Sequence, residues 1–356
     1  MGIHSIKIQN FKSIRDSGDV KLTPLNILIG ANGSGKSNFI NFFKFVNRIY
    51  DRTQKVYVNQ HGKADNFLYF GRKKSDFLYG KITFDNSYRN EYEFKMIPTT
   101  KNDLIFEGEY SNYSYIKSWL IASGNDESEL KNYEGYEAPY LRGQLNRLKI
   151  FHFHDTSFNA KVKQPCAVND NAYLHEDGGN LAAFLYVLQE KHSKIFRKIE
   201  GVLKFIAPFF DRFFLKPDEL NGQFIELRWL EKGSEQLFDA HNLSDGTLRM
   251  ICLLTLLLQP NPPSTIIIDE PELGLHPSAI QHLCGLIKAT SLNSQLIIST
   301  QSINLISEFE PSDILVVERK DNQSTFTRLD SEKLEVWLDE YNVGDLWEKN
   351  VIGGNP

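Results

Sequence analysis

One stretch of this chain permits few folds: LNILIGANGSGKSNFINFFKFVNRIY, residues 25–50. Its first five residues, Leu25 to Ile29, read as a buried strand. After the loop, Phe39, Phe43, Val46 and Tyr50 recur at spacings of three and four, with Phe42 and Ile49 widening the stripe, which predicts an amphipathic helix. A strand running through a tight glycine loop into such a helix is a unit of an α/β fold, the helix covering one face of a sheet. The loop itself fits G-x-x-x-x-G-K-[ST], with Gly30, Gly35, Lys36 and Ser37 at the fixed positions. Composition alone would give such a match in roughly one chain of this length in a hundred. The strand before it and the helix after it supply the context that separates a phosphate loop from a glycine-rich turn. Unpaired N–H donors and the helix dipole favour an anion at that helix N-terminus. Residues Gly30, Ala31, Asn32, Gly33, Ser34, Gly35, Lys36, Ser37 and Asn38 are therefore expected to cradle the phosphates of ATP. Lys36 should reach the β- and γ-phosphates, and Ser37 should hold Mg²⁺.

A second group of polar residues lies far downstream. Thr265 to Ile268 forms a run rich in β-branched residues, as in a strand buried on both faces of a parallel sheet, and it ends in Asp269-Glu270. Ligands of open α/β sheets bind at the carboxyl ends of strands. That position gives Asp269 the role of holding Mg²⁺ through its water shell, and Glu270 that of positioning and polarising an attacking water. An Asp-Glu pair at a strand end is otherwise plain solvated charge; the phosphate loop in the same chain is what favours the catalytic reading. After a helix marked by Ile280, Leu283, Cys284 and Ile287, a further buried strand, Leu296 to Ser299, ends in Thr300, Gln301 and Ser302. Three strand-end loops, at 30–37, 269–277 and 300–302, thus carry compatible chemistry.

The segment NLSDGTLRMICLLTLLL, residues 242–258, places a turn directly ahead of an almost unbroken apolar helix. Ser244 and the N–H groups around Gly246 stand at that helix start, where Ser244 or Asp245 would serve as an ordinary N-cap.

Read together, GANGSGKS, LSDGTLR, IIIDEPELGLHP and LIISTQS resemble the motif series of ABC-type ATPases, in the branch containing SMC, RecF and OLD-like bacterial ATPases. LSDGT stands at the signature position and GLHP at the D-loop. NFKSIRD, FHFHDTS, DGGNLAAFL and LWEKNVIGGNP further resemble bacterial ATPases of RecF/OLD type. The resemblance implies an α/β P-loop NTPase of ABC-ATPase-head type. A mixed, mostly parallel central sheet, an antiparallel N-terminal lobe and a short helical arm are its expected parts. It also implies an ATP-dependent homodimer in which Ser244 and Gly246 cap the γ-phosphate bound by the second chain. The function expected is a slow ATPase acting as a switch, DNA-linked or anti-phage, with a separate nuclease or toxin chain as effector. Where such proteins carry a γ-phosphate-contacting histidine, this chain has Gln301, whose amide can donate but cannot carry charge.

The intervening chain is read more coarsely. Residues 1–96 make an N-terminal lobe, with strands at 3–11 and an antiparallel hairpin in 77–96. Residues 97–147, rich in Asn, Tyr, Ser, Glu and Gly, read as an irregular insertion. Residues 148–215 give a strand and a two-helix arm, 216–330 the lobe with the signature and Asp269, and 331–356 a helix and tail. His152, His154 and Asp155 allow a metallohydrolase as an alternative. A nucleotide- or Mg²⁺-facing role for His154 or Asp155 fits better, because their strand occupies the place of the superfamily's glutamine-bearing loop. Lys191, Lys194, Arg197, Lys198 and Lys204 could contact DNA phosphates, but a solvated helix face is the better reading of them. A transporter nucleotide-binding subunit is the other alternative, disfavoured by LSDGT where transporters carry LSGGQ.

Composition frames these readings. The 356 residues are 41% hydrophobic and 24% charged, enough for a globular core, and the formal net charge of −5 argues against a nucleic-acid-coating protein. The three cysteines, Cys166, Cys252 and Cys284, lack paired spacing. No secretory leader or membrane-length apolar run is evident, so a soluble cytoplasmic chain is expected. Only 54 residues follow Ser302, so the nuclease domain of OLD-type enzymes is not expected within them.

Overall fold

The structure, a computed structural model, describes residues 2–113 and 117–354. In chain order it begins with β1 (Ile3–Phe11), β2 (Ile14–Asp16), β3 (Val20–Lys21), β4 (Leu25–Ile29), α1 (Lys36–Tyr50), α2 (Gln54–Gln60) and α3 (Lys63–Phe67). There follow β5 (Leu78–Phe84), β6 (Glu91–Pro98), β7 (Leu104–Tyr113), β8 (Lys117–Ala122), α4 (Ala138–Asn146), β9 (Leu148–Phe151), β10 (Cys166–Ala167), α5 (Leu181–Lys191) and α6 (Ser193–Ile206). Next come β11 (Phe210–Phe213), β12 (Phe224–Ile225), β13 (Arg228–Glu231), β14 (Leu237–Asp239), α7 (Asp245–Leu258), β15 (Thr265–Asp269) and α8 (Pro277–Ser291). The chain closes with β16 (Gln295–Ser299), α9 (Ile303–Ile306), β17 (Ile314–Lys320), β18 (Gln323–Arg328), α10 (Ser331–Leu338) and α11 (Val343–Glu348).

These elements form two compact units. The first spans residues up to 150, 263–267 and from 291 on, and is built on two sheets. One is antiparallel, in the order β2-β1-β5-β6-β7-β8, with β3 pairing β1. The other is mixed, in the order β18-β17-β4-β16-β15-β9. In it β4 runs parallel to β16 and β17, while β18 returns antiparallel along β17. Helix α1 fastens the first unit. Its Phe39, Phe42, Phe43 and Phe45 are all fully buried. Phe42 packs edge-on to Phe11 at 5.4 Å and stacked on Phe94 at 6.0 Å between ring centroids. Each such ring contributes about 1.5–3 kcal/mol by leaving water, so the start of α1, where the glycine loop ends, is held by a deep core.

The second unit comprises residues 151–262 and 268–290. It contains a small sheet, β11-β13-β14, and helices α5, α6, α7 and α8. α7 is buried along nearly its whole length, from Leu248 to Leu257. The two helices expected in the arm are present as α5 and α6, and the Phe-rich end of that stretch is β11.

Residues 97–147 depart from the sequence reading. Much of the stretch is regular: β7 and β8 extend the antiparallel sheet, and α4 follows after the loop at 123–137. Their strand character was hidden because β7 buries polar side chains. Glu109 and Ser111 are both fully buried. Glu109 accepts from Tyr92 Oη at 2.6 Å, Ser128 Oγ at 2.5 Å and the Glu129 N–H at 2.9 Å, while Ser111 Oγ donates to Glu137. The apolar-polar alternation that marks a half-buried strand is therefore absent from a strand that is nonetheless covered. Among the described residues no helix is long and apolar enough to cross a membrane.

Candidate active site

The first unit carries the glycine loop. Gly30 ends β4 at φ 152°, and a methyl group on it would lie 2.2 Å from the Val317 carbonyl oxygen of the neighbouring β17. Gly35 sits at φ 119°, and its missing Cβ would fall 2.0 Å from Ser324 Oγ. Both positions therefore require glycine, for conformation and for space. Lys36, 5% exposed, folds its Nζ back onto the loop and donates to the carbonyl oxygens of Gly30 (2.5 Å) and Ala31 (3.1 Å). Its positive end is thus stationed inside the ring of backbone that residues 30–36 describe.

Two features show that these residues fit a bound phosphate. Ser34 Oγ is buried and has no hydrogen-bond partner among the described residues, although buried hydroxyls are ordinarily paired. The start of α1 has no side-chain cap, leaving its first N–H groups for a ligand. Ala31 and Asn38 are half-buried, while Asn32, Gly33 and Ser37 are exposed.

The parallel register of β4 and β16, Leu28 opposite Ser299, brings Gln301 to the same sheet edge as Gly30, within the first unit. The Thr300 N–H donates to the Leu28 carbonyl at 3.0 Å. Ser302 then caps α9, accepting from the Leu305 N–H at 3.4 Å. Gln301 and Gly30 therefore leave adjacent strands at one level.

In the second unit, Asp269 and Glu270 leave the end of β15, both half-buried. Glu270 has φ 41°. A left-handed conformation in a non-glycine residue costs on the order of 1–3 kcal/mol, and it is further disfavoured before proline, here Pro271. Strain of this kind persists where the surroundings over-determine a side chain's direction. A cavity of about 10 Å³ lies here, lined by Phe153, His154, Arg249, Leu253, Asp269 and Glu270. That is close to the smallest volume that holds one water molecule. His154 Nε2 lies 3.0 Å from the Asp269 carbonyl oxygen. Asp155 turns away: its carboxylate accepts from the N–H and Oγ of Ser157 at 3.1 and 2.7 Å, which holds it below the usual carboxylate range. Among the described residues no three His, Cys, Asp or Glu side chains converge on one metal position, and His152, His154 and Asp155 do not form a centre of their own. Ser37 in the first unit and Asp269 in the second each offer an oxygen donor of the hard type that suits Mg²⁺.

The signature segment is also in the second unit. Ser244 caps α7, its Oγ accepting from the Thr247 N–H at 3.2 Å, and it remains exposed. A methyl on Gly246 would lie 2.3 Å from the Gly274 carbonyl oxygen, so signature and D-loop backbones touch. Arg249, which motif reading left without a role, ties this region together. It donates to the carbonyls of Phe153 (3.1 Å), His154 (2.9 Å) and Leu273 (2.8 Å). Only its place one turn beyond the signature turn could have singled it out.

The fold and the glycine loop, together with the relatives of the chain, identify an ATPase of the RecF, SMC and OLD type. The family described as "AAA domain, putative AbiEii toxin, Type IV TA system" matches residues 25–307, and the chain belongs to it. The Old nuclease of Escherichia phage P2 is 23% identical over 93% of this chain, which spans 61% of that protein's length. The ATP/GTP phosphatase of Helicobacter pylori is 25% identical over 79% of each chain. Among solved structures, the Smc head domain with an extended coiled coil from Pyrococcus furiosus, bound to the C-terminal domain of ScpA, superposes with a TM-score of 0.61. Its identity is 15%, and the match covers 95% of this chain and 99% of that one. The SMC head domain from Thermotoga maritima gives 0.51 at 14% identity, covering 93% and 100%. At these identities the likeness is one of fold: an ABC-type ATPase head.

Proposed function

We propose that this chain binds ATP on loop 30–38 and hydrolyses it slowly as a two-state switch. The observation that carries this reading is the loop itself, with Lys36 turned into its ring and Ser34 presenting a buried hydroxyl without a partner. Mg²⁺ would be held by Ser37 and, through water, by Asp269, and would offset charge between the β- and γ-phosphates. The loop N–H groups and Lys36 bind and orient the triphosphate. Glu270 takes a proton from the attacking water, and its strained backbone and the water-sized cavity beside it support that role. Gln301 donates its amide to the γ-phosphate. Because glutamine cannot take up a proton as histidine can, turnover is slow.

Ser244 and Gly246 complete the site of a second copy of the chain. The exposure of Ser244 ahead of a buried, rigid α7 supports this: the group is presented outward on an element that does not yield. Closure around two ATP and reopening after hydrolysis is then the switch. The family description and the likeness to Old nuclease support a role in phage defence or DNA metabolism, acting through a separate nuclease or toxin chain.

The shared site is tested by mixing two inactive variants, Lys36→Ala and Ser244→Arg, after subunit exchange has been verified with differential tags. In mixed dimers one site carries both lesions and the other neither. Half of all dimers are mixed, so activity should recover to roughly a quarter of wild type in a two-fold symmetric dimer with independent sites. No recovery despite exchange refutes the shared site with independent firing. ATP-dependent dimerisation of Glu270→Gln then distinguishes a site confined to one chain from two sites that must fire together.

A further inference from the structure

The glycine loop is held from outside by a directed chain of hydrogen bonds whose members lie far apart in sequence. Ser324, in β18, is fully buried, and its Oγ donates to the Ser34 carbonyl oxygen at 2.6 Å. The same Oγ lies 2.7 Å from Ser13 Oγ, in the turn between β1 and β2. Ser13 Oγ in turn accepts from Asn38 Nδ2 at 2.7 Å. A hydroxyl has one proton. Since Ser324 gives its own to Ser34, Ser13 must donate to Ser324, and the direction of the chain is fixed: Asn38 to Ser13 to Ser324 to the Ser34 carbonyl. Bonds aligned head to tail polarise one another, and the chain closes on the loop at both ends, on Ser34 inside it and on Asn38 in the first turn of α1.

We infer that Ser324 is a positioning residue for nucleotide binding, acting through the peptide plane between Ser34 and Gly35; this rests on the nucleotide-binding reading of the loop. A trans peptide is planar, with its C=O and N–H pointing in opposite directions. Anchoring the Ser34 carbonyl outward to Ser324 therefore turns the Gly35 N–H inward, toward the ring where Lys36 lies. Gly35 is what lets Ser324 come so close, because any side chain there would collide with its hydroxyl. Ser324 touches no phosphate itself. It fixes the direction of a donor that does.

Removing the hydroxyl frees the peptide to rotate and leaves the Ser34 carbonyl unpaired. Ser324→Ala should weaken ATP binding roughly five- to tenfold. An N–H that meets phosphate equally in the ground and transition states contributes uniform binding, so KM should rise by a similar factor while kcat stays within about twofold. Ser13→Ala leaves the final bond in place and should cost only about twofold. The experiment measures Kd for Mg·ATP by calorimetry on full-length wild type, Lys36→Ala, Ser324→Ala and Ser13→Ala, with the steady-state KM and kcat of each. Wild-type affinity and KM in Ser324→Ala, alongside lost binding in Lys36→Ala, overturn this inference and leave the loop's function standing. A wild type that binds no ATP overturns both. A merely structural Ser324 would lower the melting temperature without moving Kd measured well below it. If Ser324→Ala does not fold, Ser324→Cys, which puts a weak donor of similar size in place of the hydroxyl, is read instead: weakened ATP binding supports the inference, and wild-type affinity overturns it.

Discussion

Replacing Arg249 by methionine isolates what its guanidinium contributes. Methionine matches the length of the apolar stem and keeps its contacts, but it supplies none of the donors to Phe153, His154 and Leu273. Hydrogen bonds to charged groups contribute about 1.5–3 kcal/mol each. The bond to Leu273 is exposed, and water can replace it. The other two are part-buried, so taking the low end for each gives a loss of about 3 kcal/mol. For a unit of this size that corresponds to a melting shift on the order of 10 °C. Scanning calorimetry should show it in the transition belonging to the second unit, with the other transition unmoved if the two units melt separately. Arg249→Lys, with a single charged centre, cannot serve two carbonyls at once and should lose about half as much. The methionine substitution also releases residues 153–156 and 273–274 from α7. ATP hydrolysis should therefore fall by at least tenfold while ATP binding to the glycine loop stays within about twofold. A methionine variant melting within about 1 °C of wild type would refute the reasoning, since those carbonyls would then be satisfied without the arginine.

Glu270→Gln keeps the shape of the residue and removes the base, so ATP binding should persist while hydrolysis falls by roughly a hundredfold or more; undiminished turnover rules Glu270 out as the base. Gln301→His keeps a group that can donate to the γ-phosphate and should retain or raise steady-state turnover, whereas abolished turnover would mean that the chemistry needs glutamine. Burial raises the pKa of Glu109 above the ordinary value of 4.5. The folded state therefore binds that proton more tightly than the unfolded state, and its stabilising effect is full below pH 4.5 and lost as pH rises through the raised value. Urea titrations at a series of pH values should show wild type losing stability across that window relative to Glu109→Gln, and parallel curves for the two proteins would refute the assignment.

As local structure, the glycine loop, the strand ending in Asp269-Glu270 and the turn ahead of α7 were legible because each is a local device. The loop's glycines, its lysine and its helix lie within a few residues of one another, and backbone geometry does the rest. β4, α1, α7, β15 and β16 accordingly fall where spacing and apolar runs put them. What was not legible is everything whose partner is distant in sequence. β7 reads as irregular because Glu109 and Ser111 look like solvent-facing residues until Ser128 and Glu137 are seen to cover them. Arg249 looks like a surface charge on a buried helix until the carbonyls of residues 153, 154 and 273 converge on it.

Ser324 is the sharpest case, since nothing about a serine in a C-terminal edge hairpin marks it as the neighbour of Gly35, some 290 residues earlier in the chain. The loop motif specifies which backbone can surround a phosphate, but a glycine-rich loop is by composition the least rigid of segments. Its stiffness has to come from elsewhere: from the phenylalanines of α1 in the core, from β17 against Gly30, and from β18 and the β1–β2 turn holding the Ser34 peptide. A motif can thus be complete in sequence and still depend on residues outside it for its geometry. In this chain those residues are polar, buried and paired over long separations, the combination that periodicity and composition cannot register.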